Sequence, residues 1–130
     1  MDSIFTRIIR GEIPAHRVYE DDDYLAFLDI HPIQTGHTLL VTKKQVEQFT
    51  DLSERDFKNL MGKAHELAQH MQKVLGCKRV VVRLEGFDVP HVHVHLIPCN
   101  HEHDSFRAGR ENEEPDHDAL RKTTEKLRQN

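Results

Sequence analysis

Val89-Pro-His-Val-His-Val-His-Leu-Ile-Pro98 decides how this chain is read. Polar and apolar residues alternate strictly, which is the period of a half-buried strand. On such a strand His91, His93 and His95 share one face, while Val92, Val94 and Leu96 turn into a core. Folding accounts for the valines but not for three imidazoles in a row, because histidine is a mediocre strand former and adjacent imidazolium ions repel. The histidine face is therefore read as a site. Alternate residues on a strand lie roughly 6.6 Å apart, so the outer two are about 13 Å apart. His91 with His93, or His93 with His95, can share a metal ion, but all three cannot without a bend, since each ligand nitrogen must come within about 2 Å of the ion. A row of that length suits an extended polar group such as a phosphate with its leaving group. One imidazole can attack phosphorus, a neighbour can protonate the leaving atom, and another can fix a tautomer.

Working outward, strand, turn and helix signals alternate along the chain. Ser3 to Arg10 reads as a helix with Ile4, Phe5, Ile8 and Ile9 on one stripe, stopped by Gly11. Arg17–Glu20 and Tyr24–Ile30 read as two strands of a hairpin joined by Asp21-Asp-Asp23, and His37–Thr42 as a third. Ser53, with Asp56 in a variant of the capping box, opens a long helix. Its stripe runs through Phe57, Leu60, Met61, Ala64, Leu67, Ala68, Met71, Val74 and Leu75 to a stop at Gly76. His65 and His70 fall off that stripe and read as surface residues. Arg79–Leu84 is a fourth strand, and the tight turn Glu85–Asp88 makes it the antiparallel neighbour of the histidine strand. Asn100 to Asp116, with Gly109 and Pro115, reads as a polar loop in which His101 and His103 are solvated. Asp118 to Gln129 is a charged helix anchored by Ala119, Leu120 and Leu127. The sum is an antiparallel sheet of five strands with one main helix across it, an α+β fold.

Composition narrows the function. The chain has 130 residues, 37% of them hydrophobic and 31% charged, enough for one domain with a modest core. A net charge of -4 offers no basic footprint, so a nucleic acid polymer is not the expected partner. No apolar run approaches a membrane span, and the N-terminal residues lack the pattern of a signal peptide. Cys77 and Cys99 form no C-x-x-C pair; reduced thiols in a cytoplasmic protein are the expectation.

Taken together, Ile4-Phe-x-x-Ile-Ile-x-Gly-Glu-Ile-Pro14, Val18-Tyr-Glu-Asp-Asp22, Leu25-Ala-Phe-Leu-Asp-Ile30, Gly36-His37 and His91-x-His-x-His-Leu-Ile97 resemble the histidine-triad (HIT) superfamily, in its nucleoside phosphoramidase-like (Hint-like) branch. The resemblance spans about residues 3 to 98. It implies a HIT domain over 1–99, with 100–130 a variable charged extension on or beside the same domain. It further implies a nucleotide-binding hydrolase or transferase that cleaves nucleoside 5′-phosphoramidates or related mononucleotide derivatives through a covalent nucleotidyl-histidine. A dinucleoside polyphosphate hydrolase and a nucleotide-binding regulatory protein are the alternatives. A metalloenzyme using His91, His93 and an outside ligand is a further class.

By that resemblance His93 is the nucleophile, His95 contacts the phosphate and assists the leaving group, and His91 and His37 hold the nucleophile's orientation and tautomer. Asp29 accepts hydrogen bonds from the ribose hydroxyls. Phe5, Ile8, Phe27, Leu28 and Ile30 match the base slot of a purine nucleotide, with Asp88 and Val89 in the segment before the triad. Some members carry a structural zinc; here three of its four positions hold Ser3, Thr6 and Gln45, so no metal and no cofactor are expected. The usual asparagine and glutamine before the triad give way to Arg83-Leu-Glu-Gly-Phe-Asp-Val-Pro90, in which Arg83 is a candidate phosphate partner. The superfamily also implies a homodimer.

Overall fold

A computed structural model describes residues 1–107 and 113–128. Gly109 and Gln129, part of the expected loop and last helix, lie outside the described residues. The elements run in the order α1 (Ile4–Ile9), β1 (Arg17–Glu20), β2 (Tyr24–Leu28), β3 (Thr38–Thr42), α2 (Glu54–Leu75), β4 (Arg79–Leu84), β5 (His93–Cys99) and α3 (His117–Arg128). Single 3-10 turns sit at Phe49–Asp51 and Asp104–Phe106. The five strands form one antiparallel sheet in the order β1-β2-β3-β5-β4. Strand β5 is thereby an inner strand, paired with β3 on one side and the edge strand β4 on the other.

Alternation along the strands divides the core between the two faces. Ala26, Leu28, Leu40, Val94 and Leu96 face α2, where Leu60, Ala64 and Met71 cover them. Leu25, Phe27, Leu39 and Val41 face the other way and pack against Phe5 and Ile8 of α1. The second cluster was not expected from the sequence. It means that the histidine face is not simply solvated: α1 roofs one end of it.

Local chemistry sets the boundaries. Ser3 caps α1 by accepting from the Thr6 amide at 3.0 Å, and Ser53 caps α2 by accepting from the Asp56 amide at 3.0 Å. Gly76 ends α2 at φ 68°, a left-handed conformation that costs glycine nothing. Gly36 is held more tightly. Its φ is 91°, and an added Cβ would lie 2.6 Å from Leu75 Cδ1, so the loop into β3 can pass beneath the end of α2 only without a side chain.

The C-terminal helix lies on the domain. Leu120, Thr124 and Leu127 are its buried residues; Ala119, expected as an anchor, is exposed because the turn geometry puts Thr124 on the inner stripe. His70 of α2 meets the Leu127 carbonyl at 2.6 Å, so it serves as a contact for α3 rather than a free surface residue, whereas His65 is exposed as expected. Arg128 donates to the Arg17 carbonyl at 2.7 Å, which occupies a backbone acceptor on the edge strand β1. Cys77 and Cys99 are both buried thiols.

Candidate active site

Strand β5 begins at His93, so His91 sits in the segment leading to it rather than within the strand. That segment is tied to the loop after β3 by the Val92 amide, which donates to the Val46 carbonyl at 2.8 Å. The strand register sets Val41 opposite His93 and Leu39 opposite His95, which places both imidazoles on the face that α1 roofs. His37, immediately before β3, lies 2% exposed; His91 is fully buried and His93 is 5% exposed. The four histidines thus come from the neighbouring inner strands β3 and β5 and the residues that lead into them.

Hydrogen bonds assign every tautomer. A carbonyl can only accept, so the 2.6 Å contact between His91 Nε2 and the Thr42 carbonyl puts the proton on Nε2. His91 Nδ1 then accepts from Ser3 Oγ at 2.6 Å. By the same reasoning the 2.7 Å contact between His93 Nδ1 and the His91 carbonyl puts the proton of His93 on Nδ1. Its Nε2 is left with a bare lone pair and no hydrogen-bond partner among the described residues. On the other side the Ile33 amide donates to His37 Nδ1 at 3.1 Å, so His37 is protonated at Nε2. That proton is donated to His95 Nδ1 at 2.9 Å, which leaves His95 with Nε2–H. One ring offers an electron pair and its neighbour, with ring centroids 5.0 Å apart, offers a proton.

Burial favours the neutral form of His37, His91 and His95. Burial, with a smaller contribution from Arg83, lowers the pKa of His37 to about 4. Burial first, then the neighbouring His37 and His93, lowers that of His95 to about 4, against the opposing pull of Asp29. Burial also lowers His91, partly offset by its bond to Thr42. Burial raises the Asp29 carboxyl, which accepts from the His31 amide at 2.9 Å and lies 3.8 Å from His37 Nε2.

Asp29, His37 and His95 are close enough together to suggest a metal ion. Their hydrogen bonds argue otherwise. The Ile33 amide points at His37 Nδ1 and forces the ring's proton onto the nitrogen that would have to bind the ion. The zinc positions implied by the family do converge, but with the wrong donors. Thr6 Oγ1 donates to Gln45 Oε1 at 2.6 Å, Gln45 Oε1 also accepts from the Ser3 amide at 2.8 Å, and Ser3 closes the set on His91. Neutral hydroxyls and an amide that already satisfy one another do not fit zinc. They brace α1 against the triad directly.

A cavity of about 400 Å³ opens over His93 and His95. Of the residues expected at a nucleotide, Asp29, Phe5, Asp88 and Val89 line it. Ile8 and Phe27 lie just beneath, packed with Phe5 in the smaller core. Ile30 is 41% exposed and outside the lining, and Leu28 faces α2 on the far side of the sheet, because it alternates with Phe27. Ile4, Leu39, Glu85, Gly86 and Phe87 line the cavity as well and were not foreseen. The period of β3 and the register with His95 would have found Leu39; nothing in the sequence aims the Glu85–Asp88 turn. Arg83, paired with His95 across the strands, is bonded to the Ser105 carbonyl and is not part of the lining. A similar cavity of about 390 Å³ lies between the β1–β2 turn, Lys43 and the start of α2, and none of the four histidines lines it.

An α+β sheet with a tautomer-locked histidine row running into one inner strand is the arrangement of a histidine-triad protein. The chain belongs to the HIT family: residues 10–102 match the HIT domain. An uncharacterised HIT-like protein of Methanocaldococcus jannaschii is 41% identical over 99 residues, which cover 73% of this chain and 77% of that one. Among solved structures, a Hit-like protein of Bartonella henselae superposes with a TM-score of 0.82 at 30% identity, covering 98% of this chain and 95% of its own. A hypothetical histidine triad nucleotide-binding protein of Sulfolobus tokodaii gives 0.80 at 25% identity, covering 96% and 89%.

Proposed function

We infer that the protein is a nucleotide-binding hydrolase or transferase that passes a nucleoside monophosphate through His93. The observation that carries this reading is the bare Nε2 of His93, held by the His91 carbonyl and facing a cavity that also contains Asp29 and His95. Ile4, Phe5 and Leu39 give the cavity an apolar lining suited to a base, and Asp29 gives it a carboxylate suited to two ribose hydroxyls. Binding alone would not require a nitrogen nucleophile of fixed tautomer, which favours an enzyme over a regulatory module.

The mechanism follows from the proton positions. Nε2 of His93 attacks the α-phosphorus, and the positive charge that develops on its ring is met by the His91 carbonyl at Nδ1–H. The anionic phosphate favours uptake of one proton by the neutral His37–His95 pair. His95 delivers it from Nε2 to the departing atom. Water then attacks the nucleotidyl-histidine, returns a proton to the pair, and releases the nucleoside monophosphate. A purine is the base suggested by the family resemblance, and a nucleoside 5′-phosphoramidate the substrate.

A homodimer is part of this reading. Strand β4 pairs on one side only, and Val82 at that edge is 43% exposed. Two buried free thiols suit the reducing cytoplasm. Among the described residues no helix is long and apolar enough to cross a membrane.

The test is intact-protein mass spectrometry after an acid-free rapid quench with adenosine 5′-phosphoramidate. A transient adduct of one adenosine monophosphate, absent in His93→Ala, is expected. Product formed without any adduct at the earliest quench would overturn the covalent route.

A further inference from the structure

The cavity of about 390 Å³ between the β1–β2 turn and the start of α2 is lined by both signs of charge. Asp22 and Asp23 come from the turn, Lys44 from the loop after β3, and Arg55 and Asp56 from the helix. Lys43, also in the lining, is held 2.8 Å from Glu20. Among the described residues the side chains of Asp22, Lys44 and Arg55 have no ion-pair or hydrogen-bond partner, although opposite charges line the same space. Val46 and Leu52, packed on the main core, add an apolar part to the lining. Charges of both signs that leave one another unpaired, beside an apolar patch, suit a ligand that carries both signs and an apolar body. The same loop also holds the triad segment. The Thr42 carbonyl accepts from His91 Nε2 at 2.6 Å, the Val46 carbonyl accepts from the Val92 amide at 2.8 Å, and both residues line this cavity. The His91 carbonyl in turn accepts from His93 Nδ1 at 2.7 Å. Two hydrogen bonds therefore separate a residue of the cavity lining from the ring of the nucleophile.

We propose that this cavity is a second binding site, for a free α-amino acid with an apolar side chain, and that its occupancy strengthens nucleotide binding at the triad. A free α-amino acid carries its ammonium and carboxylate on one carbon, so both charges must be met within one small cavity. Lys44 and Arg55 suit the carboxylate, Asp22, Asp23 and Asp56 the ammonium, and Val46 and Leu52 the side chain. A simple anion would face the three carboxylates, and a simple cation the lysines and the arginine; a zwitterion gains from both sets. A ligand that binds the loop in this arrangement favours the arrangement that fixes His91 and His93. A nucleotide that needs the same arrangement then binds more tightly. The binding half of the proposal stands apart from the nucleotidyl-transfer reading; the coupling half takes from it that a nucleotide occupies the triad cavity.

The experiment titrates the full chain by calorimetry with L-leucine, 4-methylpentanoate and 3-methylbutylamine; the last two keep the leucine side chain but carry one charge each. Leucine should bind with a Kd of about 0.1–1 mM, the range open to so small a ligand. Each single-charge analogue should bind at least about tenfold more weakly. Arg55→Gln and Asp22→Asn, both at exposed positions, should each weaken leucine by about threefold or more. Saturating leucine should tighten the binding of adenosine monophosphate by about threefold, and saturating adenosine monophosphate should tighten leucine by the same factor, as linkage requires. In proton NMR the His91 Nε2–H resonance should move on adding leucine, a readout that needs no turnover. No leucine binding, analogues that bind as well as leucine, variants that bind it unchanged, or leucine binding with no effect on nucleotide affinity would each overturn the proposal. If adenosine monophosphate does not bind at all, the nucleotide reading fails. The second site is then decided by the selectivity for leucine and its loss in Arg55→Gln, and an unmoved His91 resonance overturns the coupling.

Discussion

Acidification should unfold this protein through its buried histidines before its carboxylates matter. His37 is 2% exposed, and burial takes its pKa from 6.5 to about 4. In the unfolded chain the ring takes up a proton as pH falls below 6.5, whereas in the folded chain it stays neutral until about 4. Its neutral burial is therefore fully tolerated above 6.5, and stability is lost progressively between the two values. At pH 5 the difference in proton binding is worth about 2 kcal/mol for His37 alone. His95 shifts in the same direction and to about the same value, but it is only partly enclosed, so its share is discounted to about 1 kcal/mol. The lowered carboxylates Glu20, Asp21 and Asp104 lose their contribution only as pH falls below their unfolded values of 4.5, 3.8 and 3.8, outside the interval. Asp29, with a raised pKa, has the opposite sign and loses stability as pH rises. Urea unfolding at pH 7 and pH 5 should thus differ by about 3 kcal/mol, a midpoint shift of roughly 2 M for a domain of this size. His37→Gln, which cannot titrate, should remove about two-thirds of the difference. A wild-type difference below about 0.5 kcal/mol, or an unchanged difference in His37→Gln, would refute the assignment of buried neutral imidazoles.

Ser3→Ala should cost about 2–3 kcal/mol in urea unfolding at pH 7, because it removes the helix cap and leaves buried His91 Nδ1 without its donor. A loss below 0.5 kcal/mol would show that the Ser3–His91 contact does not brace α1 (about 1 kcal/mol is expected from the cap alone). Gly36→Ala should cost about 2 kcal/mol from its φ of 91° and the clash with Leu75, and turnover should fall with it because His37 follows directly. Unchanged stability and turnover would show that the loop gives way freely. Asp29→Asn should weaken binding of ribonucleotides by about tenfold while 2′,3′-dideoxynucleotides change little; equal losses, measured by calorimetry, would remove the ribose role.

The alternation of His91, His93 and His95 with Val92, Val94 and Leu96 marked a strand and a candidate site, and with the motif blocks before it pointed to the family. The side-chain period of a strand is two, and no packing requirement explains three imidazoles on one face. The stripes of α1 and α2, their serine caps and the stop at Gly76 were legible for the same reason: they depend on residues within a few positions of one another. What depended on distant partners was not. Leu28 and Phe27 are adjacent in sequence, yet only the sheet's two covers decide that one faces α2 and the other the triad. The proton positions arise from the Thr42, His91 and Ile33 main chain and the Ser3 hydroxyl, contacts that join residues up to 88 apart. The turn Glu85–Asp88 reads as a polar connection in any sequence, and only the placement of β4 beside β5 lifts Phe87 to the rim over His93. Residue type and period determined which chemistry the chain carries; the long-range register of the sheet decided which nitrogen is bare, which is protonated, and what stands across from them.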